Sequence, residues 1–409
     1  MASNKTALWT NVIALAVLQG AIAFVWIAYR AYLPELFAQV GLPGTETPVS
    51  RAEDFMAIAL EPMMGFWSDR YRASLGQRFT FVAVGVGIAA LILLVVPAIA
   101  LGSNPVMGVI LTVLLVGWAI AMAAFRSPAI ALLRQYAMDT EIPQTMGVLL
   151  FVMVMVGSFA QPLQDWLLDL GAPMALGGSS LLLVGSAGLM QWVKPEQTLV
   201  SPREGDAGLE SLPAVPAWGP SVKTLPWVKV GQVMLVGGAI AWGLRLMFGS
   251  LAPTLTAAFP GLEPGLAIFA FSFTTALLAV PAGVINGLWG LGKMMMGGAI
   301  VLAVTVTGLQ TTLPPLLTVV FVVVSMVAWT VMFNGGIPLA FQVMTGDRAG
   351  LTVGAYFGGF AGGMALLNWT PLADILETTS SRAGASGIVF AFIAYLAWQL
   401  SRPQTNSAP

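Results

Sequence analysis

The chain contains no cysteine and no histidine, and only 9% of its 409 residues are charged. Lack of cysteine removes disulfides, thiolate metal sites, iron–sulfur ligation and cysteine nucleophiles together. Lack of histidine removes imidazole metal sites, Ser/His triads and histidine proton relays. Any proton or cation chemistry must therefore rest on carboxylates. A soluble domain carries about 25% charged residues, so the composition argues against a water-soluble enzyme. With 17 Lys+Arg against 18 Asp+Glu, the net charge is −1. That balance supplies no concentrated basic face, and no nucleic-acid partner is expected.

Apolar residues make up 57% of the chain, enough for roughly ten to twelve membrane crossings of about 20 residues each. Apolar stretches near 7–33, 50–68, 79–101, 106–135, 143–167, 174–193, 229–250, 263–287, 294–311, 314–337, 350–372 and 385–400 predict twelve helices. The first run, from Ala7 to Ala28, exceeds a signal-peptide core and is read as a retained helix. Lys194 to Val228 is the one long hydrophilic segment, with Pro195, Pro202, Pro213, Pro216, Pro220 and Pro226 beside Glu204, Asp206 and Glu210. This composition cannot bury itself and reads as a linker.

The expected fold is an all-α integral membrane protein. Twelve transmembrane helices form two pseudo-symmetric six-helix bundles, 1–193 and 229–409, joined by a cytoplasmic linker over 194–228. Placing the N-terminus in the cytoplasm puts twelve of the 17 cations on that side or in its linker, the bias expected for both termini inside a plasma (inner) membrane. The acids Glu35, Glu46, Glu53, Asp165, Asp169, Glu263 and Glu377 then lie mostly outside.

A sparse internal repeat supports two related halves. Pro62-Met-Met-Gly65 with Arg78 beyond it is echoed by Pro281-Ala-Gly283 with Lys293 beyond it. Phe125-Arg126-Ser127 followed by Asp139 is echoed by Phe333-Asn334-Gly335 followed by Asp347, at the same fourteen-residue offset from the Phe. Gly358-Gly359 and Gly362-Gly363, spaced four apart, predict one smooth face for close packing.

A charge in hydrocarbon costs about 2.5–3.5 kcal/mol on insertion scales, so intramembrane charges are functional candidates. Glu61 precedes Pro62, whose missing N–H can leave a carbonyl free beside the carboxylate. Asp54 stands seven residues earlier on nearly the same helix face, nearer the outer end, where coupling and plain solvation are equally open. Arg126, deep in the fourth helix, needs an anionic or carbonyl partner, for which Glu61 is the candidate, and both are candidates for cation coupling and substrate contact. Arg245 holds a comparable place in the seventh helix. Trp26, Tyr29 and Tyr32 near the end of the first helix read either as sugar-stacking aromatics or as an interfacial belt with Arg30. Gln164, with Gln161 and Asp165, and Asn368, with Asp374, are further hydrogen-bonding candidates.

Twelve helices, a central linker and Gly65-x-x-x-Asp69-Arg70 resemble the major facilitator superfamily. More closely, Pro62-x-x-Gly65-x-x-Ser68-Asp69-Arg70, then Ser74-x-Gly76-x-Arg78-x-x-Phe81, resembles the glycoside–pentoside–hexuronide and sucrose-type cation symporters, as does Arg126-Ser-Pro128-Ala-Ile-Ala131-Leu132. Gln77 replaces an adjacent arginine of that pattern, and Gly287 stands where the second half would carry an acid. The resemblance implies a secondary transporter rather than an enzyme, moving a small polar solute such as a sugar or glycoside with H+ or Na+ and needing no other cofactor. It implies a cation-site role for Glu61 and a cytoplasmic latch at Asp69, Arg70, Gly76 and Arg78. Ser68-Asp69-Arg70-Tyr71-Arg72-Ala73-Ser74-Leu75-Gly76 also resembles the loop of chlorophyll-delivery and antenna-assembly proteins of phototrophs. The alternative it implies is a non-transporting factor with pigment or protein partners, in a thylakoid setting.

Overall fold

A computed structural model describes residues 7–75, 78–102, 105–193, 225–311, 313–344, 348–376 and 378–402. Most of the expected linker, together with Gly76, Asp347 and Glu377, lies outside the described residues. The first half comprises α1 (Trp9–Gln39), α2 (Glu46–Leu75), α3 (Arg78–Ala100), α4 (Pro105–Ala131), α5 (Leu133–Tyr136), α6 (Ile142–Ser158), α7 (Ala160–Leu170) and α8 (Ala172–Trp192). The second comprises α9 (Trp227–Ala258), α10 (Pro264–Trp289), α11 (Leu291–Gly308), α12 (Pro315–Val343), α13 (Ala349–Trp369), α14 (Leu372–Ile375) and α15 (Thr379–Leu400).

Ten of these helices are individually long and apolar enough to cross a membrane, and α6 with α7 makes an eleventh span. The twelfth is α2, whose 30 residues span about 45 Å at 1.5 Å per residue but carry too much charge to qualify by hydropathy alone. The chain is an integral membrane protein with helices that satisfy their own backbone groups, as hydrocarbon requires.

The fifth expected helix is broken. α6 and α7 meet at Phe159 with a 60° bend. Pro162 has no N–H to give the Ser158 carbonyl, and the Ser158 hydroxyl donates back to the Met155 carbonyl at 2.7 Å. Three other expected ends, at 33, 250 and 337, are exceeded, because α1, α9 and α12 run through Pro34, Pro253 and Pro338. Within a bundle, neighbouring helices compensate a proline that would end a helix in water.

Two helix pairs make the most extensive contacts between the halves: α2 packs on α13, and α10 packs on α6, with α4 on α13 and α12 on α6 beside them. Each main pair is the second spanning helix of one half against the fifth of the other, so the seam is repeated by the pseudo-symmetry. On α13 the glycines present two faces rather than one, since adjacent residues point about 100° apart. Gly350, Gly354, Gly358 and Gly362 face α2, while Gly359 and Gly363 meet Met234 and Gly238 of α9. A methyl on Gly354 would lie 2.8 Å from the Glu61 carbonyl carbon and 2.9 Å from Pro62 Cα. One on Gly358 would lie 2.8 Å from the Ile58 carbonyl oxygen, the acceptor that Pro62 cannot use.

Gly354→Ala must therefore push backbone from backbone, at a cost of about 1–3 kcal/mol. A drop of several degrees in the unfolding midpoint is expected for it and none for Gly384→Ala, where a methyl meets nothing within 4 Å. Equal midpoints for the two variants would contradict the seam.

Candidate functional site

Glu61 is the sixteenth of the 30 residues of α2 and is fully buried. Its Oε1 accepts from Arg126 Nη2, and its Oε2 accepts from the Ser127 hydroxyl, both on α4. The Arg126 side chain keeps 25% of its surface accessible, and its Cζ stands 4.8 Å from the Phe357 ring centroid on α13. Arg126 Nε is buried with no hydrogen-bond partner. One guanidinium thus links a carboxylate of its own half to an aromatic face of the other half, with donor capacity left over.

The second half carries the neutral counterpart. Asn334, at the position matched to Arg126, donates from Nδ2 to the Ala279 carbonyl of α10 at 3.0 Å. Asn286 of α10 similarly donates to the Val331 carbonyl of α12 at 3.0 Å. The fourth spanning helix reaches the second in both halves, but only the first half uses charge.

Asp54 does not join Glu61. It accepts from Trp369 Nε1 of α13 at 2.7 Å, and Arg51 stands over the same indole at 5.1 Å. The seven-residue spacing aligns the two Cα positions, but Asp54 turns its carboxylate to α13 and Glu61 turns its own to α4.

Glu53, counted among the acids of the outer side, is buried, accepting from the Tyr29 hydroxyl and facing Arg30 at 3.6 Å. Tyr29 stacks on Trp118 at 4.1 Å, and Trp118 meets Trp26 edge-on at 4.8 Å. Tyr29 and Tyr32 are both 1% exposed, which removes them from an interfacial belt and leaves no Tyr29 face open for a sugar. Gln164 sits on the bent α7 and is half-buried, while Gln161 donates to Asp165 at 3.2 Å. Arg245 of α9 donates to Asn368 of α13 at 3.3 Å, in a separate pocket.

At the end of α2, Asp69 is buried and tied across the seam. Its Oδ1 accepts from the Gly350 N–H and its Oδ2 from the Leu351 N–H, each at 2.8 Å, while Arg78 also donates to Oδ1. These are first-turn amides of α13, so the carboxylate sits at the positive end of that helix. Of the residues expected to form a latch, Asp69 and Arg78 are in contact, and backbone amides of α13 join them. Arg70, beside Asp69, is half-buried. Gly350 makes room for the Asp69 contact, since a methyl there would lie 2.6 Å from Ser68 Oγ and 2.8 Å from Asp69 Oδ1.

No family model and no curated protein matches the sequence. Solved structures match its fold over nearly the whole chain. The fucose:proton symporter FucP of E. coli is 12% identical with a TM-score of 0.64, covering 96% of this chain and 98% of its own. A bacterial homologue of the iron transporter ferroportin in an outward-facing state is 14% identical with a TM-score of 0.67, covering 96% and 99%. The human organic anion transporter MFSD10 is 14% identical with a TM-score of 0.62, covering 95% and 98%. The chain has the major facilitator fold.

Truncating one partner of a buried pair leaves an uncompensated charge, so Glu61→Ala and Arg126→Ala should each cost about 3–5 kcal/mol. The double variant should cost less than their sum, and additivity in denaturant unfolding would refute the pairing. Asp69→Ala takes its carboxylate partner from the buried Arg78 and should likewise cost about 3–5 kcal/mol, and Asp69→Asn, which retains one acceptor, should lose less by the same measurement.

Proposed function

We propose that the protein is a proton-coupled secondary transporter of a small polar solute, with a sugar or glycoside as the solute class. The observation that carries this reading is the buried Glu61, Arg126 and Ser127 cluster, placed halfway along α2 and touching the opposite half through Phe357. The shared fold with a fucose:proton symporter supports it. So does the motif around Asp69.

Proton coupling suits this geometry better than sodium. Sodium prefers a cage of oxygen ligands, whereas both Glu61 oxygens are already occupied by donors and a guanidinium lies against one of them. Among the described residues no group of three or more acids forms a metal-type cluster. A proton needs only one oxygen.

The coupling logic follows from charge. Deprotonated Glu61 holds Arg126. Protonation cancels that attraction and releases the guanidinium to donate to a solute oxygen, so proton and solute each favour the other's binding. Phe357 then carries the change to α13, whose glycine seam against α2 permits the halves to rock. Positive-inside bias places the Asp69 end in the cytoplasm, where the cap on α13 closes the seam in this state.

Proteoliposomes enclosing a pH dye and challenged with a panel of mono- and disaccharides test the reading. Wild type should show solute-dependent proton entry. Glu61→Gln should abolish it while retaining solute counterflow, which needs no net proton movement. Proton entry undiminished in Glu61→Gln, or none with any sugar in wild type, would overturn the assignment.

A further inference from the structure

Outside the Glu61 cluster, α9, α13, α15 and the chain just after α14 form an open pocket of about 140 Å³ whose lining includes Arg245, Asn368, Arg382, Gly249, Leu367 and Leu376. It contains two guanidiniums. Arg245 donates from Nε to Asn368 Oδ1 at 3.3 Å, and Arg382 donates to the carbonyls of Leu376 at 2.7 Å and Gly249 at 3.4 Å. Those partners are all neutral, and among the described residues no carboxylate pairs with either arginine.

This placement is unfavourable for an empty pocket. Two like charges, the exposed Arg245 and the half-buried Arg382, line one small, partly apolar pocket with no counter-charge among the described residues. Arg382 is also the fourth residue of α15, a 22-residue helix whose first turn repels cations through the helix dipole. Each guanidinium uses only part of its five-donor fork, which leaves N–H groups for a further acceptor. An oxyanion removes the repulsion, satisfies those donors and suits the dipole, and planar guanidinium matches carboxylate or phosphate oxygens in pairs.

We propose that the Arg245, Asn368 and Arg382 pocket binds an oxyanion, a phosphate or carboxylate group entering from the end of the protein that carries Arg30. The group belongs either to a soluble anion or to an anionic lipid headgroup, since the first turn of α15 lies where a spanning helix leaves the hydrocarbon. No residue of the Glu61 and Arg126 pair lines the pocket, so the site stands or falls independently of proton coupling.

Thermal unfolding of the purified full chain decides it. In neutral detergent, sodium phosphate is titrated against sodium chloride at equal ionic strength, and in nanodiscs phosphatidylglycerol is compared with phosphatidylcholine. Saturable stabilisation of wild type by phosphate, with half-saturation raised about tenfold or more in Arg245→Gln and Arg382→Gln, supports the site and identifies a soluble anion. Stabilisation by phosphatidylglycerol alone, lost in the same variants, supports the site with a headgroup as occupant. Equal stabilisation of wild type and both variants would overturn the proposal. If a glutamine variant does not fold, Arg→Lys at that position keeps the charge without the fork and should bind more weakly than wild type. A wild type that responds to neither phosphate nor phosphatidylglycerol refutes the site whatever the variants do.

Discussion

The backbone of α2 lies directly against the backbone of α13, and much of the molecule depends on that approach. Glycine at 350, 354 and 358 leaves room for the carbonyls of Gly65, Glu61 and Ile58. Were side chains present there, the helices would stand further apart. Asp69 would then lose the α13 amides, and Phe357 would move off Arg126. Along the glycines the contact is largely backbone on backbone, so little side chain interdigitates there. Two carboxylates of α2 hydrogen-bond across this contact, Asp69 to the Gly350 and Leu351 amides near one end and Asp54 to Trp369 Nε1 near the other.

The same scaffold is built twice and charged once. In both halves a polar side chain on the fourth spanning helix donates to the second, but the acceptor is a carboxylate in one half and a peptide carbonyl in the other. A neutral amide donating to a carbonyl is a packing device with one stable arrangement. A guanidinium on a carboxylate has two, because protonating the acid removes most of the attraction. Burying a second ionisable pair would add desolvation cost. The asymmetry places the buried ion pair between the fourth and second spanning helices in the first half alone, while the second half holds only amide-to-carbonyl contacts there.

Much of the fold was legible in the sequence because hydrocarbon imposes a simple requirement on length and polarity. Misread points have local causes. Pro34, Pro253 and Pro338 looked like ends, although packed neighbours carry the helices past them. Pro162 gave no comparable warning, although its missing N–H breaks the fifth span at Phe159. Within the site, Glu61 and Arg126 stood out as isolated charges, and the structure places them in contact. Ser127, Phe357 and Arg382 did not stand out, because serine, phenylalanine and a cation near a helix end are ordinary in such a chain.

By itself the sequence determined that this is a bundle of membrane-spanning helices with no thiol, imidazole or surplus of charge to work with, and that Glu61 and Arg126 are the expensive residues. Tertiary structure alone decided which faces meet. A helix sets each side chain's angle about its own axis, but the partner across the gap is set by packing between segments hundreds of residues apart. Hence Asp54, in register with Glu61, belongs to Trp369, and Glu53, counted as an outer acid, is buried against Tyr29. For the same reason two arginines 137 positions apart in the chain, Arg245 and Arg382, share one pocket.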